Sequence, residues 1–174
     1  AAGVGLELID EHSDLDAVVV AVGGGGLMSG VAAAVKLKNR NCEVYAVEPI
    51  GANSMSQSIK VGKPVTLNKI DTIADSLAPP MALPFSYSVC EKFVDQFVTV
   101  TDDQICAGLS LLQEEAKLAV EPAAGAVVAA AIWPLNKKLI GKKIGLVICG
   151  ANIDAQSYRR YLIRGVHTMR KAFN

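Results

Sequence analysis

Histidine is scarce in this sequence, with only His12 and His167, and the four cysteines, Cys42, Cys90, Cys106 and Cys149, form no Cys-x-x-Cys pair. Neither a zinc-ligand pattern nor a disulfide framework is expected, and a reducing, cytoplasmic setting suits the chain best. An excess of one charge is also lacking: 17 Lys and Arg balance 17 Asp and Glu, without a block of like charge. That balance excludes a polybasic surface for nucleic acid or for an anionic membrane. Gly, Pro or charge interrupts every apolar stretch well short of the ~18 residues a membrane span requires, and no basic-then-apolar leader opens the chain. What the chain does have is apolar content: 51% of its 174 residues are hydrophobic, which excludes disorder and supports one buried core. We read residues 1–174 as a single, partial α/β domain.

Residues 16–22, Asp-Ala-Val-Val-Val-Ala-Val, form a continuous β-branched run, the pattern of a strand buried on both faces of a parallel sheet. Gly23-Gly24-Gly25-Gly26 stops the run, Leu27 to Lys36 has helical composition, and a second strand follows at Glu43 to Glu48. Strand, crossover helix and strand make a βαβ unit. The opening Gly5 to His12 reads as the tail of a helix. Further along, helices are expected at Asn53 to Val61, at Pro84 to Phe93, at Asp103 to Ala119 with Asp102 as cap, and at Glu121 to Trp133. Strands are expected at Gln96 to Thr101 and Lys143 to Cys149, and Thr72 to Pro84 reads as an ordered loop. Asp154 is the expected cap of a last helix. The segment Val166 to Asn174 is left open between an extra strand and a dimer contact. This order predicts a three-layer αβα fold with a mostly parallel sheet.

Four successive glycines between a buried strand and a helix allow unusual backbone conformations and expose several N–H groups at the positive end of the helix dipole. Such a turn suits an anion whose phosphate must approach the backbone itself. A tight packing turn is the plainer alternative. The Gly-x-x-x-x-Gly-Lys-Ser/Thr loop of nucleoside triphosphate sites is absent. The register of Gly23, Gly25 and Met28 breaks the dinucleotide fingerprint, although Glu48 falls about where a ribose-binding acid would stand.

The segment 17–30, Ala-Val-Val-Val-Ala-Val-Gly-Gly-Gly-Gly-Leu-Met-Ser-Gly, resembles the tetraglycine loop of fold type II pyridoxal-phosphate enzymes of the threonine dehydratase and serine racemase family. Four more motifs follow in that family's order: Val47-Glu48-Pro49, Thr72-Ile73-Ala74-Asp75, Ala119-Val120-Glu121-Pro122-Ala123-Ala124-Gly125-Ala126, and Ile148-Cys149-Gly150-Ala151-Asn152. The resemblance implies pyridoxal 5'-phosphate as cofactor, its phosphate held by Gly23, Gly24, Gly25 and Gly26 with the N–H of Leu27. It places Cys149 at the pyridine nitrogen, Glu121 and Asn152 at the ring edge, and Asp75 and Ser76 in a substrate loop, where many relatives carry Gly in place of Ser76. Glu48 and the carbonyl of Ala52 match a divalent-cation site for Mg2+ or Ca2+ in some relatives. Those relatives supply a second carboxylate where this sequence has Ser54, and oxygen ligands are what such cations need.

In this family a lysine in a Ser-x-Lys-x-Arg type motif, far upstream of the glycines, tethers the cofactor, whereas 22 residues precede Gly23 here. The lysines present, Lys36 and Lys38 among them, read as solvated surface charges. The chain is then expected to be part of a longer enzyme, half of a split enzyme, or a non-catalytic module that retains the cradle. The first is favoured. The parent activity implied is that of an L-threonine or L-serine dehydratase, giving a 2-oxo acid and ammonia from a small amino-acid substrate. A serine racemase shares its carbanion path, and the full-length enzyme is expected to be a homodimer.

Overall fold

The structure, a computed structural model, describes residues 1–173. Its centre is a four-stranded parallel sheet of β1 (Ala17–Ala21), β2 (Glu43–Pro49), β3 (Gln96–Val100) and β4 (Ile144–Leu146), in the spatial order β3-β2-β1-β4. Every residue of β1 is buried, as its unbroken β-branched run requires of a strand covered on both faces. Period-two alternation sends Val18 and Val20 into one core and Ala17, Val19 and Ala21 into the other.

The first core is closed by α1 (Ala2–Glu11), α2 (Gly26–Lys38), α3 (Ser54–Val61) and α4 (Pro84–Phe93), through Ile9, Met28, Val31, Met55 and Cys90. The second is closed by α5 (Asp102–Glu115), α6 (Pro122–Ile132) and α7 (Asn136–Leu139), through Ile105, Val127 and Leu139. The last helix, α8 (Ala155–Phe173), packs on α5. Helices therefore cover both faces, as expected. Each fully buried Val, Ile or Leu adds about 1.5–3 kcal/mol of transfer free energy, which makes β1 the anchor of the fold.

Some boundaries differ from expectation. The cap of α5 is Thr101, not Asp102: the Gln104 N–H donates to Thr101 Oγ1 at 3.2 Å and the Thr101 N–H to Gln104 Oε1 at 2.9 Å, a reciprocal capping box. Asp102, freed from that task, accepts from the Thr72 hydroxyl at 2.7 Å and the Ile73 N–H at 3.0 Å and so anchors the loop before Ser76. Val166 to Phe173 continue α8, which overturns the extra-strand alternative; Asn174 lies outside the described residues. The helix is amphipathic, with apolar positions recurring at helical spacing, a period no strand can use. Asp154 does cap it, accepting the Ser157 N–H at 2.9 Å. Residues 75–77 form one turn of 3-10 helix inside the expected loop, and α7 had no clear signal in the sequence.

Candidate functional site

The strand order sets where a ligand can sit. From β1 the chain moves outward through β2 to β3, and β4 then returns to pair on the other side of β1. Connections leaving β1 and β4 diverge, opening a crevice beyond the carboxyl ends of these strands, the general binding position in open α/β sheets. Gly23 to Gly26 leave β1 at that point, and Val147 to Gly150 leave β4 beside them.

A cavity of about 280 Å³ fills the crevice, lined by Gly23, Gly24, Gly25, Gly26, Leu27, Ser76, Glu121 and Cys149. Almost every residue expected at the cofactor thus meets in one place. The first turn of α2 points into it. Ser29 is the first N–H to bond back, to the Gly25 carbonyl at 2.8 Å, which leaves the preceding N–H groups of Gly26, Leu27 and Met28 without intrahelical partners. Donors at a helix N-terminus, beside the positive end of its dipole, form an anion site.

The four glycines are not equivalent. Gly25 has φ +89°, and a Cβ there would lie 2.5 Å from Met55 Cε and 2.8 Å from Ser86 Cβ. At Gly23 a Cβ would lie 2.7 Å from the Ser76 carbonyl oxygen. The fold itself therefore requires these two. Gly24 has only ordinary contacts with Leu83 and Pro79, and a Cβ on Gly26 would meet nothing within 4 Å. The fold does not explain glycine at position 26: a Cβ there would stand in open space, which leaves room for a phosphate beside the free N–H groups. The cradle fits the phosphate of pyridoxal 5'-phosphate on this ground.

Glu121 stands on the wall of the cavity. It sits at the N-cap position of α6 but makes no side-chain cap bond. Instead the Ser76 hydroxyl donates to Glu121 Oε1 at 2.6 Å and the Asn152 N–H to Oε2 at 3.0 Å, tying together three segments distant in sequence. Its carboxylate thus bonds to the neighbouring loops and not to the first N–H groups of α6. Cys149 is half-buried; burial first, and then the Glu121 charge, push its thiol above its ordinary range, so it is neutral at pH 7. Asp75 and Asn152 line a second cavity of about 390 Å³, whose walls include Ser76 and Glu121 as well as Tyr161 and Ile153.

Glu48 and Ala52 fall outside both cavities. Glu48 is fully buried, and its carboxylate accepts the Met55 and Ser56 N–H groups at 2.8 Å each, together with the Ser56 hydroxyl. It thereby caps α3, a use that leaves its oxygens little capacity for a cation. Burial raises its pKa to about 6 against these bonds. No group of three or more His, Cys, Asp or Glu able to hold a metal occurs among the described residues. The arrangement gives the Mg2+ or Ca2+ expectation no support.

Sequence reasoning missed the supports of the cradle. Met55 and Ser86 press on Gly25, and Pro79 and Leu83 flank Gly23 and Gly24. These contacts join segments far apart in the chain and leave no periodic or motif signal. No helix among the described residues is long and apolar enough to cross a membrane.

Comparison with known proteins agrees with the α/β fold. Residues 1–150 match the family described as "Pyridoxal-phosphate dependent enzyme". The chain is 44% identical over 161 residues to a phenylserine dehydratase of Ralstonia pickettii, covering 92% of this chain and 49% of the relative. It is 37% identical over 156 residues to a serine racemase of Schizosaccharomyces pombe, covering 90% and 48%. The processed form of threonine deaminase isoform 2 from Solanum lycopersicum superposes with a TM-score of 0.88 at 30% identity, covering 94% of this chain and 48% of that one. The chain thus spans about half the length of the curated relatives it matches. A shared fold, a family match over most of its length and relatives that are lyases and racemases make this chain a member of the pyridoxal-phosphate dependent enzymes.

Proposed function

We propose that this chain is the cofactor-phosphate-binding part of a pyridoxal-phosphate-dependent dehydratase. Its substrate would be a β-hydroxy amino acid, L-threonine or L-serine, and its products a 2-oxo acid and ammonia. The observation that carries the reading is Gly26, a helix-start glycine that the fold does not require, facing a cavity walled by Glu121, Ser76 and Cys149.

Each residue has a physical task in this reading. The N–H groups of Gly23 to Gly26 and Leu27 bind the phosphate dianion, helped by the α2 dipole. When bound, pyridoxal phosphate supplies the electron sink that acidifies the substrate α-proton. Cys149, kept as a neutral thiol, offers the pyridine nitrogen a partner that does not force its protonation, a setting that favours elimination and racemisation over transamination. Glu121, held by Ser76 and Asn152, lines the ring edge. Asp75 and Ser76 border the substrate. The lysine that tethers the cofactor and the group that takes the α-proton would lie in a segment outside this chain.

An absorbance titration of the chain with pyridoxal phosphate, with inorganic phosphate as competitor, tests this. The expected result is saturable, phosphate-sensitive binding without a unique lysine adduct after borohydride reduction. A single stoichiometric lysine adduct with turnover would move the catalytic lysine into this chain. No binding would leave a non-catalytic module. Because a serine racemase is among the relatives, the complete enzyme should also be assayed for D-serine; D-serine without a 2-oxo acid would replace the dehydratase reading with a racemase.

A further inference from the structure

Ser76 is held on two sides. Its carbonyl oxygen packs beside Gly23, where a Cβ would lie 2.7 Å away, so only glycine fits next to it. Its hydroxyl donates to Glu121 Oε1 at 2.6 Å. Glu121 is itself backed by the Asn152 N–H at 3.0 Å and by Gly150, whose φ of +80° brings the backbone against the Glu121 carboxyl group, leaving no room for a Cβ. The preceding residues are fixed as well: Ala74 is fully buried, and Asp102 holds Thr72 and Ile73. Ser76 and Glu121 are the two residues found in the walls of both cavities, the 280 Å³ cradle and the 390 Å³ space beside it. The hydrogen bond between them therefore lies on the partition.

We infer that Ser76 is a specificity-determining residue: with Glu121 it closes the partition between the cradle and the adjoining cavity, and so confines the substrate to a short side chain. This rests on the dehydratase reading above and names the substrate class of the same site. A serine or threonine side chain fits on the cradle side of a closed partition. An aryl side chain requires the space beyond it, where Ile73, Ile153 and Tyr161 stand among the polar Asp75, Asn152, Asp154 and Ser157. Opening that wall joins the two spaces and adds volume, which favours the larger substrate.

The test measures kcat/KM for L-threonine and for L-phenylserine in the complete enzyme that contains this chain, with Ser76→Gly, Ser76→Ala and Ser76→Thr. The wild type is expected to prefer L-threonine. Ser76→Gly and Ser76→Ala, which both lose the bond to Glu121, should shift the ratio toward L-phenylserine by about tenfold, within the range one hydrophobic pocket contact commands. Ser76→Thr keeps the hydroxyl and should keep the ratio. A folding defect would lower both activities together and leave the ratio alone, so an unchanged ratio in the glycine variant overturns the inference. A shift in Ser76→Gly without one in Ser76→Ala overturns the role of the hydrogen bond, and a wild-type preference for L-phenylserine overturns the closed partition. A wild type that binds pyridoxal phosphate yet turns over no β-hydroxy amino acid refutes the dehydratase reading itself, and this inference with it.

Discussion

Replacing Gly26 by Ala separates folding from ligand binding in one substitution. Gly26 opens α2, lacks the positive φ of Gly25, and its missing Cβ would meet nothing within 4 Å. Ala is preferred over Gly in a helix by about 0.5–1 kcal/mol. For a domain of this size 1 kcal/mol moves Tm by about 2–4 °C. The variant should therefore melt about 1–4 °C higher than wild type by calorimetry or circular dichroism. Binding should change in the opposite direction, because a methyl added beside the free N–H groups would crowd a phosphate held by them. Loss of one hydrogen bond to a charged group, about 1.5–3 kcal/mol, weakens affinity roughly 10- to 150-fold. The titration with pyridoxal phosphate, with and without inorganic phosphate, reads this directly. A variant that binds as tightly as wild type, or that melts lower, would refute the assignment of Gly26 to the ligand.

Gly25→Ala should fail differently. The left-handed backbone costs about 1–2 kcal/mol and overlap with Met55 and Ser86 about 1–3 more, so urea unfolding should show a loss of about 3 kcal/mol whether or not ligand is present. Thr101→Ala should cost about 1 kcal/mol by removing the capping box, whereas Asp102→Asn should leave α5 intact and loosen the loop at Thr72, visible as faster amide exchange at Ile73 and Ala74. Burial raises the Glu48 pKa from 4.5 to about 6, so the folded state binds its proton more readily than the unfolded chain. That contribution is fully present below pH 4.5 and is lost as pH rises through 6, and Glu48→Gln should remove a pH-dependent difference of up to about 2 kcal/mol, measured by urea unfolding at pH 4.5 and 7. Cys149, a neutral and half-buried thiol, should react with iodoacetamide at pH 8 more slowly than free cysteine; a rate equal to or above it would show that the thiol is ionised.

Much of this protein was legible in its sequence. The β-branched run at 17–21 could only be a strand buried on both faces, because five consecutive apolar side chains alternate between two cores. The glycines after it could only be a turn into a helix, and the ordered motifs pointed to the residues that now face one another. These readings work because local chemistry, namely side-chain period, backbone freedom and helix-end donors, is written in consecutive residues. Tertiary structure decided the rest. Only the return of β4 to the far side of β1 brings Cys149 to the glycines. Only packing shows that Gly25 is required by Met55 and Ser86 while Gly26 is required by nothing in the chain. Glu48 and Glu121 both stood in the sequence as acids directly before a proline, yet one is enclosed by the N–H groups of α3 and the other reaches 45 residues back to Ser76. The bonds a carboxylate makes depend on which donors the fold brings within about 3 Å, and that distance is a property of the folded chain.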